Sequence, residues 1–238
     1  MIKNLNGMQK NLFFVSVILL VAFGIYIIIS KDSLNNLEQA DEYVVDASDY
    51  VVAHPQVSVL PIGNLSEEEK NGLMIMREEE KLAYDVYITL YEKWGINIFR
   101  NIASSESTHT ESIRYLIERY NLVDPVKTEE VGVYTNSTFL DLYNALVKQG
   151  STSLKDAYIV GATIEDLDIK DLHEFTAQTD NEDILVVYDN LTRGSRNHLR
   201  AYIRQLSNLG EKYTAQYLTQ AEIDEIVSAS QERGGNRK

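Results

Sequence analysis

Hydrophobic and polar residues divide this chain into three regimes. Residues 12–30, LFFVSVILLVAFGIYIIIS, are apolar on every side and carry no charge. Residues 31–64 mix short β-branched runs, EYVVD and DYVVAH, with acidic positions and two prolines, and show no helical period. From residue 65 onward, apolar positions recur at the three-and-four spacing of amphipathic helices. NLSEEEK offers Ser66 as an N-cap with Glu69 three residues later, a capping box, and Gly95 in EKWG stops that helix. The same spacing predicts a second helix from about Asn97 to Tyr120 and a shorter one from Ser137 to Gly150. A long helix follows from Ser151–Ser153 through LKDAYIVGATIEDLDIKDLHEF, and a last long one opens at a Thr179–Glu182 capping box and ends near Gly210. AEIDEIVSAS predicts one more short helix. Strand signals are nearly absent after residue 60, so the expected fold is all-α. Four long helices, with an extra short helix between the second and third, predict an antiparallel four-helix bundle.

The expected domains are residues 1–31, a membrane anchor or signal peptide; 32–64, an extracytoplasmic linker; 65–220, the bundle; and 221–238, a short helix and tail. At 1.5 Å per residue the 12–30 stretch roughly spans the ~30 Å hydrocarbon core of a bilayer. Lys3 and Lys10 precede it, and Asp32, Glu38, Asp41 and Glu42 follow. That asymmetry places the N-terminus in the cytoplasm and the bundle outside, on a single-pass anchor. The alternative is a cleaved signal peptide and a secreted chain. A signal peptide calls for a shorter apolar core and a small-x-small cleavage site, and IIISKDS fits that poorly.

Charge and composition narrow the function. The net charge of −14 excludes nucleic acid as a partner, because phosphate backbones need a basic footprint. Three of the 22 basic residues, Lys3, Lys10 and Lys31, precede residue 32; the remaining 19 face 36 acidic ones, so residues 32–238 carry −17. Membrane contact is therefore expected through the N-terminal helix, not the bundle surface. With no cysteine, disulfides, zinc–thiolate sites, iron–sulfur clusters and thiol nucleophiles are excluded. Any metal must be held by Asp, Glu, backbone or one of 4 histidines: His54, His109, His173 and His198.

On helical wheels several of these groups fall inside apolar stripes. In the second long helix, Glu106 and His109 lie within the stripe of Ile102, Ile113, Leu116, Ile117 and Tyr120. In the last, His198 joins Ile184, Tyr188, Leu191, Leu199, Tyr202 and Leu206. In the third, Glu165 and Asp168 share the stripe of Ala157, Gly161, Ile164 and Leu172. The first long helix carries Glu78, Glu79 and Glu80, and the mean direction of its apolar residues selects Glu79. An isolated buried carboxylate costs several kcal/mol, so inward acids or imidazoles on all four helices point to pairing or metal binding. Carboxylates and imidazoles without thiolate suit Fe or Mn. His173 falls off the stripe and His54 lies in the linker. Arg193, Arg196 and Arg200 surround His198 in RGSRNHLR, and the choice between pairing with the inward carboxylates and a solvated face stays open.

The runs MREEEKLAYDVYITLYEKWGINIFRNIASSESTHTESI, GATIEDLDIKDL and VYDNLTRGSRNHLRAY, with QYL near the end, resemble a ferritin-like family of archaeal and bacterial proteins catalogued as a domain of unknown function. The resemblance covers about residues 65–218. It implies a ferritin-like four-helix fold, with Glu79 as first-helix carboxylate, Glu106 and His109 as second-helix pair, Glu165 as third-helix carboxylate and His198 as last-helix imidazole. Ferritin-type di-metal sites carry Glu-x-x-His on two helices. Here Ser195 stands where the second Glu is expected, and Asp168, one turn after Glu165, is the candidate substitute.

Three functions are consistent with this pattern. The first is a membrane-tethered metalloprotein holding one or two Fe or Mn ions, with oxidase or peroxide-detoxifying activity. The second is a metal-free ferritin-like interaction module at the cell envelope, as a homodimer or with an envelope protein. The third is a non-catalytic iron-handling protein.

Overall fold

A computed structural model describes residues 54–233. The expected anchor and most of the linker lie outside the described residues. Among those described, seven helices and no strand occur: α1 (His54–Val57), α2 (Glu67–Trp94), α3 (Asn97–Arg119), α4 (Ser137–Gly150), α5 (Leu154–Thr176), α6 (Glu182–Asn208) and α7 (Gln220–Ser228). None of the described helices is long and apolar enough to cross a membrane.

The caps explain where the helices begin and end. Ser66 and Glu69 form the expected capping box at the start of α2. Gly95 ends it at φ 69°, a conformation that favours glycine, and donates its N–H to Tyr91 O. Asn136 caps α4 and Ser153 caps α5. The expected Thr179–Glu182 box is replaced. The N-cap of α6 is Asn181, without a side-chain cap. Thr179 instead donates to Glu69 Oε1, which also accepts from Asn181 Nδ2 at 2.7 Å. A tertiary tie to the start of α2 has displaced the local motif.

The long helices form a closed ring, α2 against α3, α3 against α6, α6 against α5 and α5 against α2. Neighbours run antiparallel. The end of α3 meets the start of α6 through Arg119 Nε and Asp183 Oδ2 at 2.9 Å. The start of α2 meets the end of α5, where Gly72 lies under Phe175. The short helix α4 packs along the edge between α2 and α5.

Heptad spacing sets the inner seams. On α2 the seam is Leu73, Met76, Glu80, Ala83, Tyr87 and Leu90; on α3 it is Phe99, Ile102, Glu106, His109, Ile113 and Leu116. Tyr158, Gly161, Glu165 and Leu172 continue it on α5, and Tyr188, Leu191, Ser195, His198 and Tyr202 on α6. Polar members of all four seams fall at one level. They separate an apolar half built around Leu73, Ile113, Leu172 and Leu191 from one built around Tyr87, Ile102, Tyr158 and Tyr202.

The connections are pinned by buried charge. Arg77, fully buried, holds Asp124 at 3.2 Å and Glu129 at 2.6 Å, both in the α3–α4 connection. Lys81 pairs with Asp85 at 2.5 Å and donates to Glu130 O at 3.0 Å. Asp166, also fully buried, accepts from Tyr213 Oη at 2.8 Å and from the backbone N–H groups of Gln216, Tyr217 and Leu218 at 2.7–3.2 Å. It fixes the segment that leads to α7. Asp166→Ala should therefore lower unfolding free energy by about 2–3 kcal/mol in urea denaturation, because buried backbone donors lose a charged acceptor. A change below about 0.5 kcal/mol would show that the 213–218 segment is held by other means.

Candidate metal centre

The polar level is built from one group on each helix, with an added imidazole on α3. Glu106 occupies its middle. Its Oε2 lies 2.7 Å from His109 Nδ1, one helical turn along, and its Oε1 lies 2.8 Å from His198 Nδ1 on α6. Glu80 Oε2 approaches His109 Nδ1 at 3.3 Å, and Glu165 Oε2 approaches His198 Nδ1 at 3.4 Å. The two imidazoles stack with centroids 5.7 Å apart. Two triads result, Glu80–Glu106–His109 and Glu106–Glu165–His198, each with donor atoms within 4.8 Å of one another and every residue buried. They share Glu106.

Those separations suit a metal-free ion-paired network as well as a bound cation. Bond directions separate the two. Glu80 Oε1, Glu106 Oε1, His109 Nδ1 and His198 Nδ1 are buried and make no hydrogen bond. Nearly all buried polar groups find such a partner, so four orphans at one level need an explanation. A cation supplies one: two donors each about 2.1 Å from an ion and at right angles to it lie about 3 Å apart, the spacing observed here. The buried Glu/His groups can hold a metal ion.

Surrounding residues fix these side chains. Tyr87 Oη donates to Glu165 Oε1 at 2.5 Å and leaves Oε2 toward His198. The His109 ring lies flush against the α6 backbone at Gly194, where a Cβ would stand 2.6 Å from Cε1 and Nε2. Gly161 likewise makes room for the Tyr202 ring, which a Cβ there would meet at 2.5 Å.

The structure gathers some of the expected residues and not others. Glu106, His109, Glu165 and His198 come together. Glu79 does not join them; it is partly exposed and sits beside Asp168 and Asp171, while Glu80 holds the α2 position in the triad. The wheel direction was drawn off because α4 covers a second face of α2, so apolar residues such as Leu82 point away from the seam toward Leu142 and Leu146. The three-four spacing through Glu80 was the available sign. Asp168 lies outside both triads, but its carboxylate accepts a hydrogen bond from Ser195, the residue standing in place of the expected Glu. The arginines face away: Arg196 and Arg200 bind Glu232, and Arg193 reaches Asn190. His173 is exposed. Gly194 was not anticipated, because a glycine inside a helix carries no sign of what it makes room for.

Without a cation the charges interlock. Burial would raise Glu106, but His198 and His109 outweigh it and hold its carboxyl well below the usual range. Burial would lower His198, but Glu106 and Glu165 push it up to about 10. His109 is raised well above its ordinary value by Glu106 and Glu80, against its burial. Glu80 is raised well above the carboxylate range by burial and by Asp168. Burial and Glu106 raise Glu165 to about 6, and burial and Glu165 raise Asp168 to about 7.

The chain is an all-helical bundle whose buried carboxylate–imidazole clusters could hold a metal ion. The chain belongs to the family described as uncharacterized protein domain DUF2202, which matches residues 69–230. It is 57% identical over 181 residues to the uncharacterized protein MJ0754 of Methanocaldococcus jannaschii, covering 76% of this chain and 98% of that one. The crystal structure of hypothetical protein MJ0754 from Methanococcus jannaschii DSM 2661 matches with a TM-score of 0.71, over 73% of this chain and 99% of that chain.

Two outcomes follow from this geometry. Gly194→Ala should weaken metal binding about 10–100-fold by displacing His109 while far-ultraviolet circular dichroism stays helical; unchanged affinity would separate His109 from the metal. The second concerns pH. His198 is raised in the folded state, so its stabilisation is fully present below about pH 6.5 and is lost as pH rises toward about 10. The melting temperature of metal-free protein should therefore fall across that window, whereas metal-loaded protein, with neutral imidazoles, should fall less. Equal slopes would contradict the Glu106–imidazole pairing.

Proposed function

We propose that this chain is a membrane-tethered, ferritin-like metalloprotein holding one or two Fe or Mn ions at the Glu80–Glu106–His109 and Glu106–Glu165–His198 level. The observation that carries this reading is the set of four buried donor atoms without hydrogen bonds, one each on Glu80, Glu106, His109 and His198, gathered from three helices around the shared Glu106 residue. Oxygen and imidazole donors without sulfur favour Fe or Mn over softer-metal chemistry. Glu80, His109, Glu165 and His198 would hold the ions, with Glu106 common to both triads. Three carboxylates against two divalent cations leave one positive charge unbalanced in a buried site. Asp168, held by Ser195, supplies the fourth negative charge from just outside the triads.

A bound Fe or Mn would supply one-electron chemistry, and oxidase or peroxide-detoxifying activity is the turnover that suits it. The protein's own contribution is to hold the donors, to keep Glu165 oriented through Tyr87, and to give up the imidazole protons as metal enters. The uncharged 12–30 stretch supports the tether, with the bundle extracytoplasmic.

Metal titration of the full-length protein with Fe(II) and Mn(II), read by calorimetry and elemental analysis, tests the assignment. Wild type should hold about two ions per chain. Glu106→Gln should abolish tight binding, because both triads lose their shared ligand. Glu80→Gln should reduce binding, and Glu79→Gln should leave it near wild type. Full binding by Glu106→Gln would sink the reading, and the reverse order of Glu79 and Glu80 would reassign α2.

A further inference from the structure

A cleft between α2, α4 and α5 runs down to the polar level. It is lined by the carboxylates of Glu79, Glu80, Glu106, Glu165 and Asp168, and its walls include Leu82, Leu142, Leu146, Ile164 and Leu167. Tyr217, 45% exposed, stands at the mouth, held there by the Asp166 hydrogen bonds to the 216–218 backbone. Two features of this lining matter. Neither imidazole borders the cleft, and no residue of α6 does, so it meets the centre only on its carboxylate side. Three of the lining residues, Glu79, Glu80 and Glu106, each carry a buried carboxylate oxygen without a hydrogen bond.

We propose that this cleft is the port and binding pocket for a small uncharged ligand of two or three heavy atoms, which reaches the centre from the face opposite the histidines. The proposal rests on the metal reading for what the ligand meets at the floor; the pocket itself does not need the metal. Size is the first argument. The cleft has room for about one or two water-sized molecules, which excludes organic substrates of ordinary dimensions. Charge is the second. No Lys, Arg or His lines it, so an anion finds no partner and meets carboxylates instead. The aliphatic walls favour an uncharged molecule over a hydrated cation. Leu146, 7% exposed, is the more buried of the two α4 leucines that line the cleft, beside the partly exposed Leu142, and is the residue that sets admission.

The test uses full-length protein in two arms. In the first, metal-free crystals are pressurised with xenon, an apolar probe. An anomalous peak between Leu82, Leu146 and Ile164 is expected, and it should vanish in Leu146→Trp. In the second, Fe(II)-loaded protein is mixed with nitric oxide, an uncharged diatomic. Leu146→Trp should slow association by about ten-fold or more, with iron stoichiometry unchanged, because a packed indole closes the path. Leu146→Ala should bind at the wild-type rate or faster. If Leu146→Trp fails to fold, Leu142→Trp at the mouth takes its place. No xenon in the cleft, or an unchanged nitric oxide rate in an iron-loaded Trp variant, overturns the port. Failure of wild type to hold iron overturns the metal reading instead, and the xenon arm then decides the pocket alone.

Discussion

Glu106 sits near the middle of the bundle with each carboxylate oxygen against a different imidazole, and the rest of the structure is arranged around that sharing. Isolated, a carboxylate this deeply buried would cost several kcal/mol. Here the charge is distributed over His109 and His198, and Glu80 and Glu165 close the two sides. The level interrupts the core, with one apolar half below and one above. Close approach of helices makes the sharing feasible. Gly194 admits the His109 ring against α6, and Gly161 admits Tyr202 beside Tyr87, whose hydroxyl in turn positions Glu165.

The two halves of the level are related but unequal. α2 and α3 contribute Glu80 with Glu106-x-x-His109; α5 and α6 contribute Glu165 with Ser195-x-x-His198. Serine at the second bridging position leaves a shorter group, and Asp168 fills the electrostatic gap by accepting from its hydroxyl. The asymmetry concentrates carboxylates toward α2 and α5, the side on which the aliphatic cleft opens, and leaves the histidines on the far side. A centre charged on one side and reached through apolar walls is suited to selecting its visitors by size and charge.

Much of this was legible in the sequence because helix seams follow simple periodicities. The six helices from α2 onward and most of their boundaries follow from spacing, caps and glycine stops, whereas α1 stands in the expected linker, where no helical period is visible; four site residues fall within the expected stripes. Two further features did not follow. Averaging apolar directions selected Glu79, since α2 is covered on two faces and Leu82 belongs to the α4 side; heptad spacing through Leu73, Met76, Ala83 and Tyr87 selects Glu80. The Thr179–Glu182 capping motif gave way to a contact with Glu69, more than a hundred residues away, which no local pattern encodes. Similarly, Arg196 and Arg200, close to His198 in sequence, hold Glu232 and not the inward carboxylates, because neighbours along a helix point in different directions.

Under the proposed reading Glu106 would hold cations and not only two protonated imidazoles. Diffraction from crystals of protein purified without added metal or affinity tag, recorded on both sides of the iron and manganese absorption edges, addresses it directly. Anomalous density is expected within about 2.3 Å of Glu106 and of at least one of His109 Nδ1 and His198 Nδ1. Full-occupancy side chains with direct Glu106–imidazole hydrogen bonds, and no anomalous density at the level even after soaking in Fe(II) or Mn(II), would contradict it.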